Sequence, residues 1–308
     1  MNRNGVRPRS RPPGQRLAPV LSVVVPAYES AAYIGATVAK LIHFFTINDV
    51  HGEVVVVDDG SRDDTAAVAA SAGASTIRQD RNRGKGAALR IGMLAARGDV
   101  RAFTDADLPY GTAPLYPAMQ CIIERRFHAV LGDRTLPGSS YESARASRAI
   151  VSSAASFVFR TLVTGGIYDT QCGFKAFRGD VAKEIFSMTR IDGFAIDVEL
   201  IYLLLKHRLD IKRLPVQLER NAKSSVRVIR DSSRAFVDIA RMRTASASGK
   251  YRSDYLVECL KTDMLADEAH WSIGHPDLAA GPRQALESGA GHVPHAVLAA
   301  LPADRGAS

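Results

Sequence analysis

Short apolar, β-branched runs punctuate this chain, each breaking at a polar turn and passing into a helical pattern, and this alternation constrains the fold more than any other feature. Residues 20–25 form such a run, which stops at Pro26-Ala27-Tyr28-Glu29-Ser30 before Tyr33, Ile34, Val38, Leu41 and Ile42 recur at helical spacing. A second run, 53–57, ends in Asp58-Asp59-Gly60-Ser61, after which Asp63, Asp64 and Thr65 open an alanine-rich helix whose acids suit its N-terminus. Further strands are read at 75–78, 100–104, 128–131 and 211–218, and helices at 149–163 and 200–206. Continuous apolar strands alternating with amphipathic helices predict an α/β fold: a mostly parallel central sheet with helices on both faces. Ligands of such sheets sit at the carboxyl ends of the strands.

The polar residues at those ends are therefore the candidate site. The run 100–104 leads into Asp105-Ala106-Asp107 and the turn Leu108-Pro109-Tyr110-Gly111. Alternate strand residues face the same way, so continuing the strand converges Asp105 and Asp107 on one point. Two hard oxygen donors there suit Mg²⁺ or Mn²⁺ shared with a diphosphate. In Asn82-Arg83-Gly84-Lys85-Gly86, glycines flank a lysine ahead of a helix, where backbone N–H groups and an ammonium can meet phosphate; a helix cap with a surface lysine is the plainer reading. Asp197 precedes or opens the helix 200–206, where a carboxylate can also be a simple N-cap.

With 308 residues and 46% hydrophobic content the chain has ample material for a buried core. Its net charge of +8 is unevenly placed. Residues 1–18 carry five arginines and no acid, and read as a disordered basic arm. From Lys206 to Arg252, 13 basic residues face four acids, which points to phosphates or an anionic membrane surface as partners. No nucleic-acid recognition motif accompanies that charge. Cys121, Cys172 and Cys259 are widely spaced and propose neither a disulfide framework nor a zinc site. No run approaches 18 apolar residues and the N-terminus lacks a signal-peptide core, so the expected location is cytoplasmic, free or peripheral to a membrane. A single large domain at 19–230 is expected to be followed by a helical extension at 231–265, a candidate oligomer contact, and a poorly ordered tail at 266–308.

Taken in order, Pro26-Ala27-Tyr28, Asp58-Asp59-Gly-Ser, Asn82-Arg-Gly-Lys-Gly, Asp105-Ala106-Asp107 and Asp169-Thr-Gln-Cys-Gly-Phe-Lys resemble glycosyltransferase family 2 with its GT-A fold. Within it, Asp169 to Phe174 and Phe194 to Glu199 most resemble the dolichyl-phosphate or polyprenyl-phosphate β-glucosyltransferase branch. The resemblance implies that Pro26, Ala27 and Tyr28 line a uracil pocket, that Asp58 and Asp59 hold base and ribose, and that Lys85 and Gly86 approach the nucleotide. It further implies that Asp105, Ala106 and Asp107 form the metal motif and that Arg134, Arg145 and Arg148 lie near the donor or an acceptor phosphate. The family usually reads Pro-Ala-Tyr-Asn-Glu where this chain has Glu29-Ser30, which displaces the acid. Members of this type invert the anomeric centre, and the implied general base is Asp197, then Asp169, then Glu199.

The expected activity is thus metal-dependent transfer of a hexose, glucose or GlcNAc in type, from a UDP-sugar to a hydroxyl or phosphate. The branch it resembles usually carries transmembrane segments, so a soluble or phosphorylated small molecule is the favoured acceptor, with a peripheral polyprenyl-phosphate enzyme as the alternative. A nucleotidyltransferase and a non-catalytic sugar-nucleotide-binding protein are the other readings.

Overall fold

A computed structural model of the chain describes residues 19–139, 169–219 and 232–263. The basic arm, the helix expected at 149–163, Arg145, Arg148 and the tail beyond 265 lie outside these residues.

Among the described residues seven strands form one sheet: β1 (Leu21–Ala27), β2 (Gly52–Asp58), β3 (Ser75–Arg78), β4 (Val100–Phe103), β5 (Ala129–Asp133), β6 (Lys175–Arg178) and β7 (Ile211–Pro215). Their order is β3-β2-β1-β4-β6-β5-β7. All pairings are parallel except those of β6, which runs antiparallel to both β4 and β5. The helices are α1 (Ala31–Ile47), α2 (Thr65–Ser71), α3 (Lys85–Ala95), α4 (Leu115–Ile123), α5 (Gly179–Met188), α6 (Ile196–Lys206) and α7 (Ser232–Ala247), with α8 at 254–263.

Because side chains alternate across a strand, the valine runs feed two cores. Val24, Val55 and Val57 join residues of α3, α5 and α6 on one face. Val23, Val25, Val54 and Val56 join those of α1 and α4 on the other. Runs buried on both sides read as unbroken hydrophobicity, which is why the first two strands are legible in the sequence. Phe103, Phe177 and Phe186 pack as three mutually contacting rings beneath the sheet's centre, each fully buried and worth roughly 1.5–3 kcal/mol of hydrophobic transfer.

Several boundaries differ from expectation. Strand β4 stops at Phe103, so Asp105 and Asp107 sit in the following turn. Strand β7 ends at Pro215 instead of reaching residue 218, with the Val216 N–H still donating to the Asp133 carbonyl at 3.4 Å. Helix α6 opens at Ile196, four residues early, because Asp197 and Glu199 in its first turn suit its N-terminal dipole. Strand β6 and helices α4 and α5 were not among the expected elements; lysine and arginine interrupt the four-residue strand.

The amino end of the sheet is closed by α8. His128 Nδ1 accepts the Asp210 N–H at 3.0 Å, which leaves Nε2 as the protonated nitrogen facing Asp263 at 3.0 Å. Arg178 donates to the same carboxylate at 2.9 Å and to Cys259 Sγ. His128, Cys259 and Asp263 bring one ligand atom each within 4.8 Å of one another. With Nε2 protonated and a guanidinium on the other two, the cluster is a latch for α8 and unsuited to a cation.

Candidate active site

The opposite, carboxyl end of the sheet gathers the polar residues. The turn after β4 is pinned from α1, whose Thr37 hydroxyl donates to the Ala106 carbonyl at 2.7 Å. It is closed by Leu108 N–H donating to the Asp105 carbonyl at 3.0 Å. Leu108 takes φ +48, a left-handed conformation that a bulky residue adopts only when its surroundings impose it. Asp105 and Asp107 thus converge through a constrained turn, and not through strand alternation. Asp107 lies at an exposed position, yet partial desolvation and the Asp105 charge beside it push its carboxyl above the usual range.

Lys85 opens α3 and reaches across this turn. Its ammonium lies 2.7 Å from Asp105 Oδ1 and 3.8 Å from Asp197 Oδ2, with the side chain only 12% exposed. Burial acts against the ammonium, but the two carboxylates outweigh it and hold Lys85 well above its ordinary value. Asp197 is itself buried, and its other oxygen, Oδ1, is held by Lys175 Nζ. Lys175 has no exposure and also donates to the carbonyls of Cys172 at 2.8 Å and Thr170 at 3.2 Å. Its three donors are therefore all spent on one carboxylate and one loop.

That loop completes the cluster. Gly173 lies so close to Asp105 that a Cβ there would stand 1.9 Å from Oδ2. Cys172 is fully buried, and burial pushes its thiol up to about 11, which makes it a packing residue and no nucleophile. Asp169 accepts from Arg134 at the backbone N–H, at Nε (2.8 Å) and at NH2 (2.6 Å). Burial raises the Asp169 carboxyl, but the Arg134 bonds prevail and hold it below the usual range. A carboxylate committed to a fork of three donors is a poor base, so the structure speaks against Asp169 in that role. Glu199 is likewise spent, on the N–H groups of Arg190 (2.8 Å) and Ile191 (2.9 Å) and on the Tyr251 hydroxyl. Of the three expected bases, Asp197 is the one that Lys85 links to the Asp105 turn, and it too is paired, with Lys175 at Oδ1 and Lys85 at Oδ2.

The β2 end is built around two adjacent acids. Asp59 accepts from Gln79 Nε2 (2.7 Å) and from the backbone N–H of Arg83 (2.8 Å) and Gly84 (2.7 Å), so it shapes the loop that carries Lys85. Burial raises its carboxyl above the usual range. Asp58 is wholly buried; Oδ1 accepts the Ser61 N–H at 2.9 Å, while Oδ2 has no hydrogen bond and only Arg78 Nε at 3.5 Å. Gln79 Oε1 is the other buried polar atom left unpaired among the described residues. Beside it a cavity of about 480 Å³ is lined by Arg78, Gln79, Arg81, Arg83 and Ile91. Pro26 and Ala27 end β1, with Ala27 in register with Asp58. Tyr28 is 43% exposed, and Glu29, at φ +49, donates its N–H to Ser61 Oγ at 2.8 Å.

One expectation is corrected here. The N–H groups of Gly86 and Ala87 donate to the Asp192 carbonyl at 2.7 and 3.2 Å, and those of Arg83 and Gly84 to Asp59. The glycine loop is therefore not a cradle of free N–H donors. A Cβ at Gly86 would meet the Ile191 carbonyl at 2.3 Å, and Gly84 holds φ +110 against the Asp192 carbonyl. Its glycines let two backbone segments touch, and what it offers the site is Lys85. Lys175, Gly173 and Gln79 were given no role from sequence; a lysine inside the apolar stretch Gly173-Phe174-Lys175-Ala176-Phe177 was the available signal.

Together, the mixed sheet, the acidic turn after β4 and the carboxylates and lysines gathered at the strands' carboxyl ends define a GT-A glycosyltransferase. The model of the family glycosyl transferase family 2 matches residues 22–186, more than half of the chain, and the chain belongs to that family. It is similar to a dolichyl-phosphate β-glucosyltransferase of Dictyostelium discoideum, 30% identical over 72% of this chain and 73% of that protein. A dolichyl-phosphate β-glucosyltransferase of Saccharomyces cerevisiae is 28% identical over 76% of this chain and 77% of its own. Among solved structures, mannosyl-3-phosphoglycerate synthase from Rubrobacter xylanophilus shares the fold with a TM-score of 0.58 and 21% identity, covering 76% of this chain and 77% of that one. Glucosyl-3-phosphoglycerate synthase from Mycobacterium tuberculosis, solved with Mg²⁺ and UDP, shares it at 0.56 and 19% identity, covering 73% and 79%. No helix among the described residues is long and apolar enough to cross a membrane.

Proposed function

We propose that the protein is a metal-dependent, inverting hexosyltransferase that takes its sugar from a UDP-sugar and passes it to a phosphate-bearing acceptor. The observation that carries this reading is the cluster of Asp105, Asp107, Lys85 and Asp197 at the carboxyl end of β4. The donor set fits Mg²⁺ or Mn²⁺: two hard carboxylates one residue apart, one of them raised by partial desolvation and by its neighbour's charge, gain from a divalent cation between them. Asp105 and Asp107 would hold that cation, which when bound supplies charge for the leaving diphosphate. The unpaired acceptors Asp58 Oδ2 and Gln79 Oε1 suit the N–H and hydroxyl donors of a nucleoside.

Asp197 serves as the base where the acceptor is a hydroxyl, and orients the sugar where the acceptor is an already ionised phosphate. Lys85 offers its ammonium to the diphosphate, and Lys175 keeps Asp197 in place. The phosphate in the acceptor is favoured by the relatives, whose names give dolichyl phosphate, and glucosyl-3-phosphoglycerate synthase, which shares the fold, is solved with phosphoglyceric acid. The family match favours a glycosyltransferase over a nucleotidyltransferase.

The test is hydrolysis of UDP-glucose, UDP-GlcNAc, UDP-galactose and GDP-mannose with and without Mn²⁺, by wild type and Asp107→Ala. One donor should turn over with metal and fail in the variant. The productive donor is then offered 3-phosphoglycerate and a short polyprenyl phosphate in detergent, which separates soluble from lipid acceptors. Absence of binding to every sugar nucleotide would overturn the reading.

A further inference from the structure

Lys85 occupies a position with a consequence for how the site fills. Its ammonium sits directly on Asp105 Oδ1, at 2.7 Å, and leans to Asp197 Oδ2 at 3.8 Å. Without a ligand, one protein cation thus neutralises both the carboxylate expected to hold the metal and the one expected to act on the acceptor. The two lysines around Asp197 differ in freedom. Lys175 is fully buried and its three donors are fixed by Asp197, Cys172 and Thr170. Lys85 retains 12% exposure, is paired among the described residues with the side chains of Asp105 and Asp197, and projects from the first residue of a helix toward a turn in which Asp107 is exposed. It is the ammonium that can leave.

We infer that Lys85 is an internal counter-cation that makes cation binding at Asp105 and Asp107 conditional on the nucleotide. In the free protein it holds Asp105 and competes with a divalent ion. When a nucleoside diphosphate arrives, its phosphates offer Lys85 a second anionic partner, and the ammonium moves off Asp105 and Asp197. Metal and nucleotide therefore bind cooperatively, by reciprocal linkage, and Asp197 Oδ2 is uncovered only once the donor is in place, so the acceptor follows the donor. This rests on the reading of Asp105 and Asp107 as the cation site.

The experiment is Mn²⁺ binding to the full chain by electron paramagnetic resonance, with Mn²⁺ alone and with saturating UDP. It uses wild type, Lys85→Met, Lys85→Gln, Arg125→Gln and Asp107→Ala, each checked for folding by circular dichroism. Replacing the contacting ammonium should tighten Mn²⁺ binding without UDP by about tenfold or more, given the strength of a charge-assisted contact. The factor by which UDP enhances Mn²⁺ affinity should fall by at least as much. Arg125→Gln removes the same charge from an exposed position just beyond α4, outside the cluster, and should change affinity by no more than about threefold, being solvent-screened. If both Lys85 variants bind Mn²⁺ no tighter than wild type while Asp107→Ala abolishes binding, the counter-cation inference fails and the metal-site reading stands. If Asp107→Ala leaves Mn²⁺ binding unchanged, the carboxylate pair is not the cation site and both fall.

Discussion

Replacing Gly173 by alanine isolates the site from the fold. The new Cβ would lie 1.9 Å from Asp105 Oδ2 and 2.7 Å from its Cγ, whereas an ordinary C···O contact needs about 3.3 Å. One of the two groups must therefore retreat by about 1.4 Å. Gly173 cannot easily yield, because the neighbouring Cys172 carbonyl is bound by Lys175 at 2.8 Å and β6 begins at Lys175. Asp105 can, since it is the end of a short side chain 36% exposed. The fold then loses only a modest overpacking cost of about 1–2 kcal/mol, but the carboxylate leaves its place beside Lys85. A displacement of about 1 Å in a positioned group costs on the order of a hundredfold in rate. The assay is Mn²⁺-dependent hydrolysis of the productive sugar nucleotide, read beside thermal unfolding. The expected result is a drop of about two orders of magnitude in activity with a loss of a few degrees in Tm. Wild-type activity and Mn²⁺ affinity in Gly173→Ala would refute the argument that Gly173 fixes Asp105.

Lys175→Met should be a stability variant first: it leaves Asp197 buried with only Lys85 at 3.8 Å and two carbonyls unsatisfied, a loss of about 3 kcal/mol or more, and urea unfolding showing under about 1 kcal/mol would contradict the assigned role. For Asp169 the sign of the pH effect follows from a folded-state value lowered below the unfolded one. Its contribution is fully present above about pH 4 and is lost as acid carries the protein through the lowered value. Asp169→Asn should thus cost about 3 kcal/mol near neutrality, with the gap to wild type closing in the acid limb of a pH series of urea melts. A gap independent of pH would show that the Arg134 pair is not what lowers the carboxyl.

How much of this was legible beforehand varies by element. Strands β1 and β2 and helices α1 and α3 could be read because runs buried on both faces and helices with one apolar face leave periodic signals. Strand β6 left none: its four residues include Lys175, whose charge is neutralised by Asp197 far along the chain, and Arg178, shared between nearby Asp180 and remote Asp263. The acidic motif was legible as chemistry, while the reason its carboxylates converge was not, since a turn pinned by Thr37 does that and no strand does.

By itself the sequence determined the α/β class, and it proposed the carboxyl ends of the strands as the site, where the fold brings Asp58, Asp59, Lys85, Asp105 and Asp197. These follow from local patterns: where apolar runs stop, and which polar residues stand at the stop. Only the tertiary structure decided which partner each acid takes. Asp169 and Arg134 are 35 residues apart, Lys175 and Asp197 are 22 apart, and Glu199 and Tyr251 are 52 apart. A carboxylate's role depends on the donors and charges that surround it, and packing of distant segments brings those together.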